Sequence, residues 1–207
     1  MIAPASIELD RFLTTWFGPP GEAKPLPEQC DWLPQALLEW NVLVSRWNVG
    51  LNFVTSMVPP EEIKVANSKA VFMLDCGADW YWSFDPAIPG SVFDAQYHEP
   101  WERSPESMSE FLVQRTVMEV LLGAESIMRA SSVPGERMGQ LLGSAKEIAF
   151  KGWRWPAPGY RYFMRGDVLT QIIRCYDGSG WDVEVAAPDQ GALSGLEDIP
   201  DVTWLGY

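Results

Sequence analysis

Histidine is almost absent from this chain, in which His98 is the only one among 207 residues. Zinc sites built on pairs of histidines are therefore excluded, and we expect no bound metal. The chain also lacks a Gly-Lys dipeptide and the G-x-G-x-x-G pattern, in which backbone N–H groups surround a phosphate. Nucleotide hydrolysis by a P-loop is excluded for this reason, and no cofactor is expected.

Cysteines and long apolar runs are also scarce. Cys30, Cys76 and Cys175 are far apart, odd in number and without a C-x-x-C pair, which favours reduced thiols in the cytoplasm. No uncharged apolar run reaches the roughly 18–20 residues that cross a bilayer. Residues 1–11 lack the basic patch and apolar core of a signal peptide. We expect a soluble cytoplasmic protein without membrane contact.

Basic residues are scarce in two stretches that hold the whole negative excess. Between Asp75 and Glu110 there are eight acidic residues and only Arg103 to oppose them, and from Cys175 to Tyr207 there are seven acidic residues and no Lys or Arg. The formal net charge of the chain is −13. Such asymmetry repels nucleic acid and anionic membranes and attracts a basic partner.

Apolar periodicity and end signals predict three helices. The first spans about residues 6–17, and the second runs from Pro34 to about residue 46, because proline suits the first turn of a helix. The third begins at Ser107-Met108-Ser109-Glu110, which matches a capping box. Its apolar stripe starts at Phe111, and we expect the helix to continue to about Met128.

Alternating residues predict strands elsewhere. Ala70–Leu74 is followed by Trp80, Trp82 and Phe84 at a spacing of two, which predicts a hairpin across residues 70–85. We expect a meander of later strands to join this hairpin in one antiparallel sheet. The α+β class follows, as one domain over residues 1–207. The later β-rich runs are Ile148–Phe150, Tyr160–Met164, Val168–Tyr176 and Trp181–Ala187.

The segment Asp94–Glu106 is predicted to be an acidic, aromatic loop between a strand and the capped helix. Aromatic anchors ringed by carboxylates are typical of protein interfaces. We predict that the partner-binding residues are Asp79, Tyr81, Asp85, Asp94, Tyr97, Glu99, Trp101 and Glu102. Structural roles are predicted for Trp80, Trp82, Pro86, Ser107, Glu110 and Phe111.

Two other functions are compatible with the same residues. A hydrolase could use two carboxylates chosen from Asp75, Asp79, Asp85 and Asp94, because glycoside hydrolysis needs such a pair. A regulatory scaffold or ligand-binding sensor could use the same acidic tract. No catalytic residue is assigned, because nothing near Cys76 or His98 indicates an activated thiol.

The order of several motifs resembles that of the SUKH superfamily, which joins bacterial immunity proteins of polymorphic toxin systems with fungal cell-wall synthesis regulators. The resemblance covers about residues 26–125, and the β-rich segment 148–207 is less specific. The motifs are Leu33-Pro34 with Leu37, Leu38 and Trp40, then Val71-Phe72, Trp80 and Trp82, Asp85-Pro86, Val92-Phe93, Trp101 and Ser107–Leu112.

This resemblance implies an α+β fold with a central, mostly antiparallel sheet. It also implies a non-catalytic protein that neutralises a cognate toxin by tight binding, and many such toxins are nucleases. Where many relatives carry a Glu and an Asn or Gln before the tryptophan strand, this chain has Asp75-Cys76-Gly77-Ala78-Asp79. The class of toxin is therefore not carried over.

Overall fold

The computed structural model describes residues 1–206, which fall into two compact units. The first unit is Glu8–Glu119, and the second comprises Met1–Ile7 and the chain from Val120 onwards. Each unit contains a six-stranded sheet whose strand pairs are antiparallel. Helices and antiparallel sheets in one chain confirm the predicted α+β class.

The three predicted helices are present. Helix α1 is Leu9–Phe17, α2 is Gln35–Val44 and α3 is Met108–Leu122. The capping box at the start of α3 is formed: the Glu110 N–H donates to the Ser107 hydroxyl at 3.3 Å, and the Ser107 N–H donates to the Glu110 carboxylate at 3.1 Å. Both exchanges occupy donors that a helix start otherwise leaves unpaired.

The first sheet contains the predicted hairpin as its centre. Its strands are β1 (Thr55–Met57), β2 (Val65–Ala66), β3 (Lys69–Asp75), β4 (Trp80–Asp85), β5 (Ile88–Gln96) and β6 (Glu102–Ser107). The order is β1-β3-β4-β5-β6, with β2 on β3. The segment predicted as an acidic loop is therefore the β5–β6 hairpin, in which Asp94 lies opposite Glu102.

Aromatic side chains fill the core between this sheet and α3. Phe72, Trp82, Phe84 and Phe111 are fully buried, and the ring centroids of Phe72 and Phe111 are 5.7 Å apart, edge to face. Trp82 is 6.3 Å from Phe111. Trp82 and Phe111, for which structural roles are predicted, thus belong to this buried core.

Helix α3 ends six residues earlier than predicted, at Leu122 rather than Met128. Strand β7 (Ser126–Val133) follows it. Met128 lies opposite Val185 in a neighbouring strand and is buried. Sheet hydrogen bonds and burial in the second unit outweigh the helical preference of this segment.

The second sheet comprises β7, β8 (Lys146–Ile148), β9 (Arg161–Arg165), β10 (Val168–Arg174), β11 (Trp181–Ala187) and β12 (Leu205–Gly206), in the order β12-β7-β11-β10-β9-β8. The short helix α4 is Met138–Leu142. The expectation of one continuous sheet is wrong. Both strands of the predicted hairpin are paired on each side, β3 with β1 and β4, and β4 with β3 and β5, so neither has an edge left for the later strands.

One face of the second sheet is apolar and the other is polar. The apolar face packs with residues of α4 and the segment 193–199 in a buried cluster that includes Met138, Leu141, Phe163, Ile172, Val183, Val185 and Leu193. Along β11, Val183 and Val185 alternate with Asp182 and Glu184. Period-two alternation places the two carboxylates on the opposite face.

Candidate functional site

Two turns lie side by side at one end of the first sheet. The β3–β4 turn contains Asp79, the β5–β6 turn contains Tyr97, and the Tyr97 N–H donates to the Asp79 carbonyl at 2.7 Å. The start of β1 reaches the same end, because the Cys76 N–H donates to the Val54 carbonyl at 3.0 Å. We call this region the turn-end surface; it comprises Phe53, Cys76, Asp79, Tyr81, Tyr97, His98, Glu99, Trp101 and Glu102.

Exposed aromatic rings lie on the turn-end surface, Phe53 beside the edge strand β1 and Tyr97 in the β5–β6 turn. Phe53 and Tyr97 are each 56% exposed, which is high for large apolar side chains. The Tyr81 and Tyr97 rings are 6.0 Å apart, and the His98 ring lies 3.8 Å from that of Tyr97. The Tyr81 hydroxyl donates to the Ala78 carbonyl at 2.8 Å. Neighbouring rings of this kind form a ready contact area for another protein.

The turn-end surface has a fixed backbone. Asp75 Oδ1 accepts hydrogen bonds from the N–H groups of Asp79 and Trp80, both at 2.8 Å. Ala78 and His98 adopt positive φ angles of 55° and 68°. A non-glycine residue in this region costs on the order of 1 kcal/mol or more and persists only when its surroundings hold it. Asp75 therefore has a structural role, and the turns are preorganised.

Five other predicted partner-binding residues also lie on the turn-end surface. Asp79, Glu99 and Glu102 are exposed, whereas Tyr81 and Trp101 are half-buried. Asp79 lies in the β3–β4 turn, Glu99 lies in the β5–β6 turn, and Glu102 begins β6. With Tyr97, the structure thus brings six of the eight predicted residues to one end of the sheet.

Asp85 lies away from this end. It ends β4, whose length from Trp80 places Asp85 about 17 Å from the turn-end surface at ~3.3 Å per residue. Its carboxylate accepts from the Ala87 N–H at 2.9 Å and from Lys69 Nζ at 3.1 Å. The Ala87 N–H and then Lys69 hold the pKa of Asp85 below its usual value. Pro86, which follows it, is exposed in the β4–β5 turn.

Asp94 lies at the buried face of the sheet and is 3% exposed. It stands directly opposite Trp82 of β4, so both side chains point to the same, inner face. A partner cannot reach this carboxylate in the present conformation. Alternation along β4 places Trp82 in the core, and the pairing of β4 with β5 then places Asp94 in the core as well.

The separation of these carboxylates bears on the hydrolase alternative. Retaining and inverting glycosidases hold their two carboxyl groups about 5–10 Å apart. Asp85 is about 17 Å along β4 from the turn that contains Asp79. Asp75 is bound by two backbone N–H groups, and Asp94 is buried. These positions disfavour Asp85 and Asp94 as members of a catalytic pair. Asp75 and Asp79 do lie close together, since a Cβ built at Gly77 would be 3.2 Å from Asp75 Oδ2 and 3.5 Å from Asp79 Oδ2.

Two buried charged residues on α3, Arg115 and Glu119, support the turn-end surface and were missed from the sequence. The Glu119 carboxylate accepts from the N–H groups of Phe53 and Thr55, the latter at 2.7 Å. Arg115 is fully buried, donates to the Leu51 carbonyl and to Asn52 Oδ1, and lies 5.0 Å from the Trp40 ring. The pair anchors the segment that presents Phe53. The sequence signal that could have found it is the spacing of Arg115 and Glu119, which lie four and eight residues after Phe111 and so fall on the apolar stripe of α3.

The part of the chain that the structure describes contains no cluster of three or more His, Cys, Asp or Glu residues placed to hold a metal ion. None of its helices is long and apolar enough to cross a bilayer. Comparisons with protein-family models, with curated proteins and with solved structures find no match for this chain.

Proposed function

We propose that this protein is a non-catalytic immunity protein that binds a basic toxin through the turn-end surface. The observation that carries the proposal is the adjacency of two fixed turns, which places exposed aromatic rings beside exposed carboxylates. The order of motifs that resembles the SUKH superfamily supports the same class of function. Three free cysteines, of which Cys76 is exposed, are consistent with a role in the cytoplasm.

Charge supports a basic partner. The turn-end surface carries the carboxylates of Asp79, Glu99 and Glu102, and it belongs to the stretch 75–110 with eight acidic residues and one arginine. A surface of one sign steers an oppositely charged protein and raises the association rate, to about 10⁸ M⁻¹s⁻¹ or more at low salt. The nucleic-acid cleft of a nuclease toxin offers the complementary charge.

The aromatic rings support a tight complex rather than a transient encounter. Interfaces of standard size bury about 1,600 Å² in total, and a few central aromatic residues carry most of the binding energy. Phe53 and Tyr97 are the exposed aromatic residues here, and fixed turns lose little conformational entropy on binding. We assign Tyr97 and Phe53 as the anchors and the carboxylates of the same surface as the charged groups that attract the partner.

The partner is identified by copurification of the tagged protein from its native host and mass spectrometry. Recovery of a basic toxin domain, and protection of cells against that toxin, are the expected results. A partner that is acidic, or cells that remain sensitive to the recovered domain, would contradict the proposal.

A charge reversal then tests the site. The double variant Asp79→Lys/Glu99→Lys is expected to slow association with the recovered partner at least tenfold at low salt, because it reverses the field at the surface. Glu197→Lys/Asp198→Lys is the matched control, with the same charge change at exposed positions of the second unit. Equal association rates for the two variants would place the interface elsewhere.

A further inference from the structure

A partly enclosed cavity of about 160 Å³ lies on the polar face of the second sheet. All of its walls belong to the second unit, in β7, β10 and β11 and in the segment before β9. The polar residues that line it are Arg129, Ser131, Tyr160, Gln171, Asp182 and Glu184. Nothing in the proposed toxin binding uses these residues.

Three of the lining residues form a fixed row across neighbouring strands. Gln171 lies opposite Glu184, and Glu184 lies opposite Arg129. Arg129 Nε donates to Glu184 Oε1 at 2.9 Å, and Gln171 Nε2 donates to Glu184 Oε2 at 2.9 Å. Each oxygen of Glu184 therefore holds one neighbour in place, and the floor of the cavity is ordered without a ligand.

The side-chain oxygen of Gln171 receives no hydrogen bond from the residues that the structure describes. Its side chain lines the cavity, the residue is only 6% exposed, and within the described residues its Oε1 has no hydrogen-bond partner. The bond from Nε2 to Glu184 sets the orientation of the amide, so the carbonyl oxygen faces away from Glu184. Buried amide oxygens are almost always satisfied, and an exception calls for a missing donor.

The other polar groups of the cavity also supply acceptors. Within the part of the chain that the structure describes, Asp182 accepts only a weak S–H donor, Cys175 Sγ at 3.4 Å, and a carboxylate offers about four lone-pair positions. Asp182 and Glu184 outweigh Arg129, so these charges sum to −1. Burial, and then the charges of Glu184 and Asp182, raise the pKa of the Tyr160 phenol, which shows the negative field at this wall.

We propose that this cavity binds a small organic cation, through a guanidinium or primary ammonium group whose N–H donors meet Gln171 Oε1, Asp182 and Glu184. The ring of Tyr160 provides a wall suited to such a cation. The size fits, because a cavity of about 160 Å³ is several times larger than the ~30 Å³ that one water molecule occupies in the liquid, and methylguanidinium is a small ion. The proposal does not depend on toxin binding.

The test is an NMR titration of the ¹⁵N-labelled protein with methylguanidinium, with N-methylurea as its neutral isostere. Saturable shifts in residues 129–131, 171–173 and 182–184 are expected with the cation and none with the urea. Absence of saturable shifts with the cation, or equal shifts with both probes, would overturn the proposal.

Three variants test whether methylguanidinium binds in this cavity. Asp182→Asn keeps the shape of the side chain and is expected to weaken methylguanidinium about tenfold, because it removes one charge-assisted hydrogen bond. Ser131→Trp places a large ring at an exposed lining position and is expected to abolish the shifts. Glu197→Gln, which removes one charge elsewhere in the same unit, serves as the control and leaves the affinity unchanged. Unaltered binding in Ser131→Trp would place the cation outside the cavity.

Two sources could supply the cationic group, a free metabolite or an Arg or Lys side chain of another protein. Titration with an end-capped Gly-Arg-Gly peptide separates them. Binding of the peptide as tight as that of methylguanidinium supports the side-chain source, and binding of methylguanidinium alone supports the metabolite.

Discussion

Arg115 and Glu119 lie one helical turn apart on α3, and both are buried. Burial lowers the pKa of Arg115 to about 10, and Glu119 opposes this change, so the guanidinium keeps its charge at neutral pH. Removing one member of such a pair leaves an uncompensated charge in a medium that solvates it poorly. Both side chains also hydrogen-bond to the backbone of the segment 51–55, so they hold Phe53 in place on the turn-end surface.

Glu119→Gln is expected to lower the free energy of unfolding by about 2–4 kcal/mol, because Arg115 loses its counter-charge and the N–H groups of Phe53 and Thr55 lose an ionised acceptor. Urea denaturation measures the change. Glu62→Gln, at an exposed position of the first unit, is the control. A loss below about 0.5 kcal/mol, the usual range of a surface substitution, would contradict this role.

Glu147 and Arg161 form a two-point ion pair between β8 and β9, with distances of 2.8 and 2.7 Å. The Arg161 hydrogen bonds hold the pKa of Glu147 below its usual value. A carboxyl with a lowered folded pKa contributes stability above its unfolded pKa, about 4.3, and this contribution is lost as pH falls through the folded value.

We therefore expect the wild type to lose more stability than Arg161→Met between about pH 6 and about pH 3. Urea midpoints over this range measure the difference. Arg165→Met, in the same strand, should keep the pH dependence of the wild type. Identical pH profiles for wild type and Arg161→Met would show that this pair contributes nothing to acid sensitivity.

At the scale of elements, neighbouring residues determine where α3 begins, whereas contacts between distant residues determine how β7 pairs with β11. The start of α3 is set by four consecutive residues whose backbone and side chains pair with one another. The β7–β11 pair instead depends on a close backbone approach: a Cβ at Gly180 would lie 2.6 Å from the Val133 carbonyl oxygen. The register shifts beside it, between Trp181 and Val183.

Ser107→Ala is expected to destabilise the protein by about 1 kcal/mol, because the Glu110 N–H loses its acceptor at the start of α3. Thermal unfolding measures the effect. Ser109→Ala, two residues later and exposed, is the matched control and should be neutral or slightly stabilising. Equal melting temperatures for the two variants would show that the Ser107 cap does not stabilise the protein.

Gly180→Ala is expected to cost about 1–3 kcal/mol or more, because the added methyl group forces the backbone of β7 away from β11. Chemical denaturation tests this, with Gly139→Ala as the control. At Gly139 an added Cβ meets nothing within 4 Å. Full stability of Gly180→Ala would show that the two strands separate at little cost.

At the scale of the whole molecule, the two units carry different proposed roles. The first contains the turn-end surface for a basic protein, and the second contains the cavity for a small cation. Both proposals use negative charge, but one presents it on exposed turns and the other on a polar sheet face. A partner therefore responds to salt differently from a cation held in the cavity, since solvent ions screen exposed charges more strongly.

We expect the association rate with the proposed basic partner to fall steeply as the salt concentration rises, and the rate of Asp79→Lys/Glu99→Lys to vary less with salt. Stopped-flow measurements over a range of NaCl concentrations compare the two slopes. The dissociation rate of the wild type should change little, because aromatic contacts maintain the formed complex. A salt-independent association rate would show that electrostatic attraction does not speed the association.

Several elements were predictable because their signals lie within a few residues. The helices at α1 and α2, the capping box, the β3–β4 hairpin and the runs that form β9 to β11 follow from periodicity and turn residues. The errors concern pairing. Met128 extends an apolar helical pattern but pairs with β11, and Asp94 has the composition of a loop but faces the core opposite Trp82.

The amino-acid sequence by itself determined the α+β class, the acidic stretches and the position of most helices and turns, because short-range sterics and capping act between neighbours. Only the tertiary structure decided that there are two sheets, that Asp94 is buried while Asp79 and Tyr97 meet, and that Gln171 and Asp182 line one cavity. These outcomes depend on strand register, which the competition for backbone hydrogen bonds and core burial sets across the whole chain.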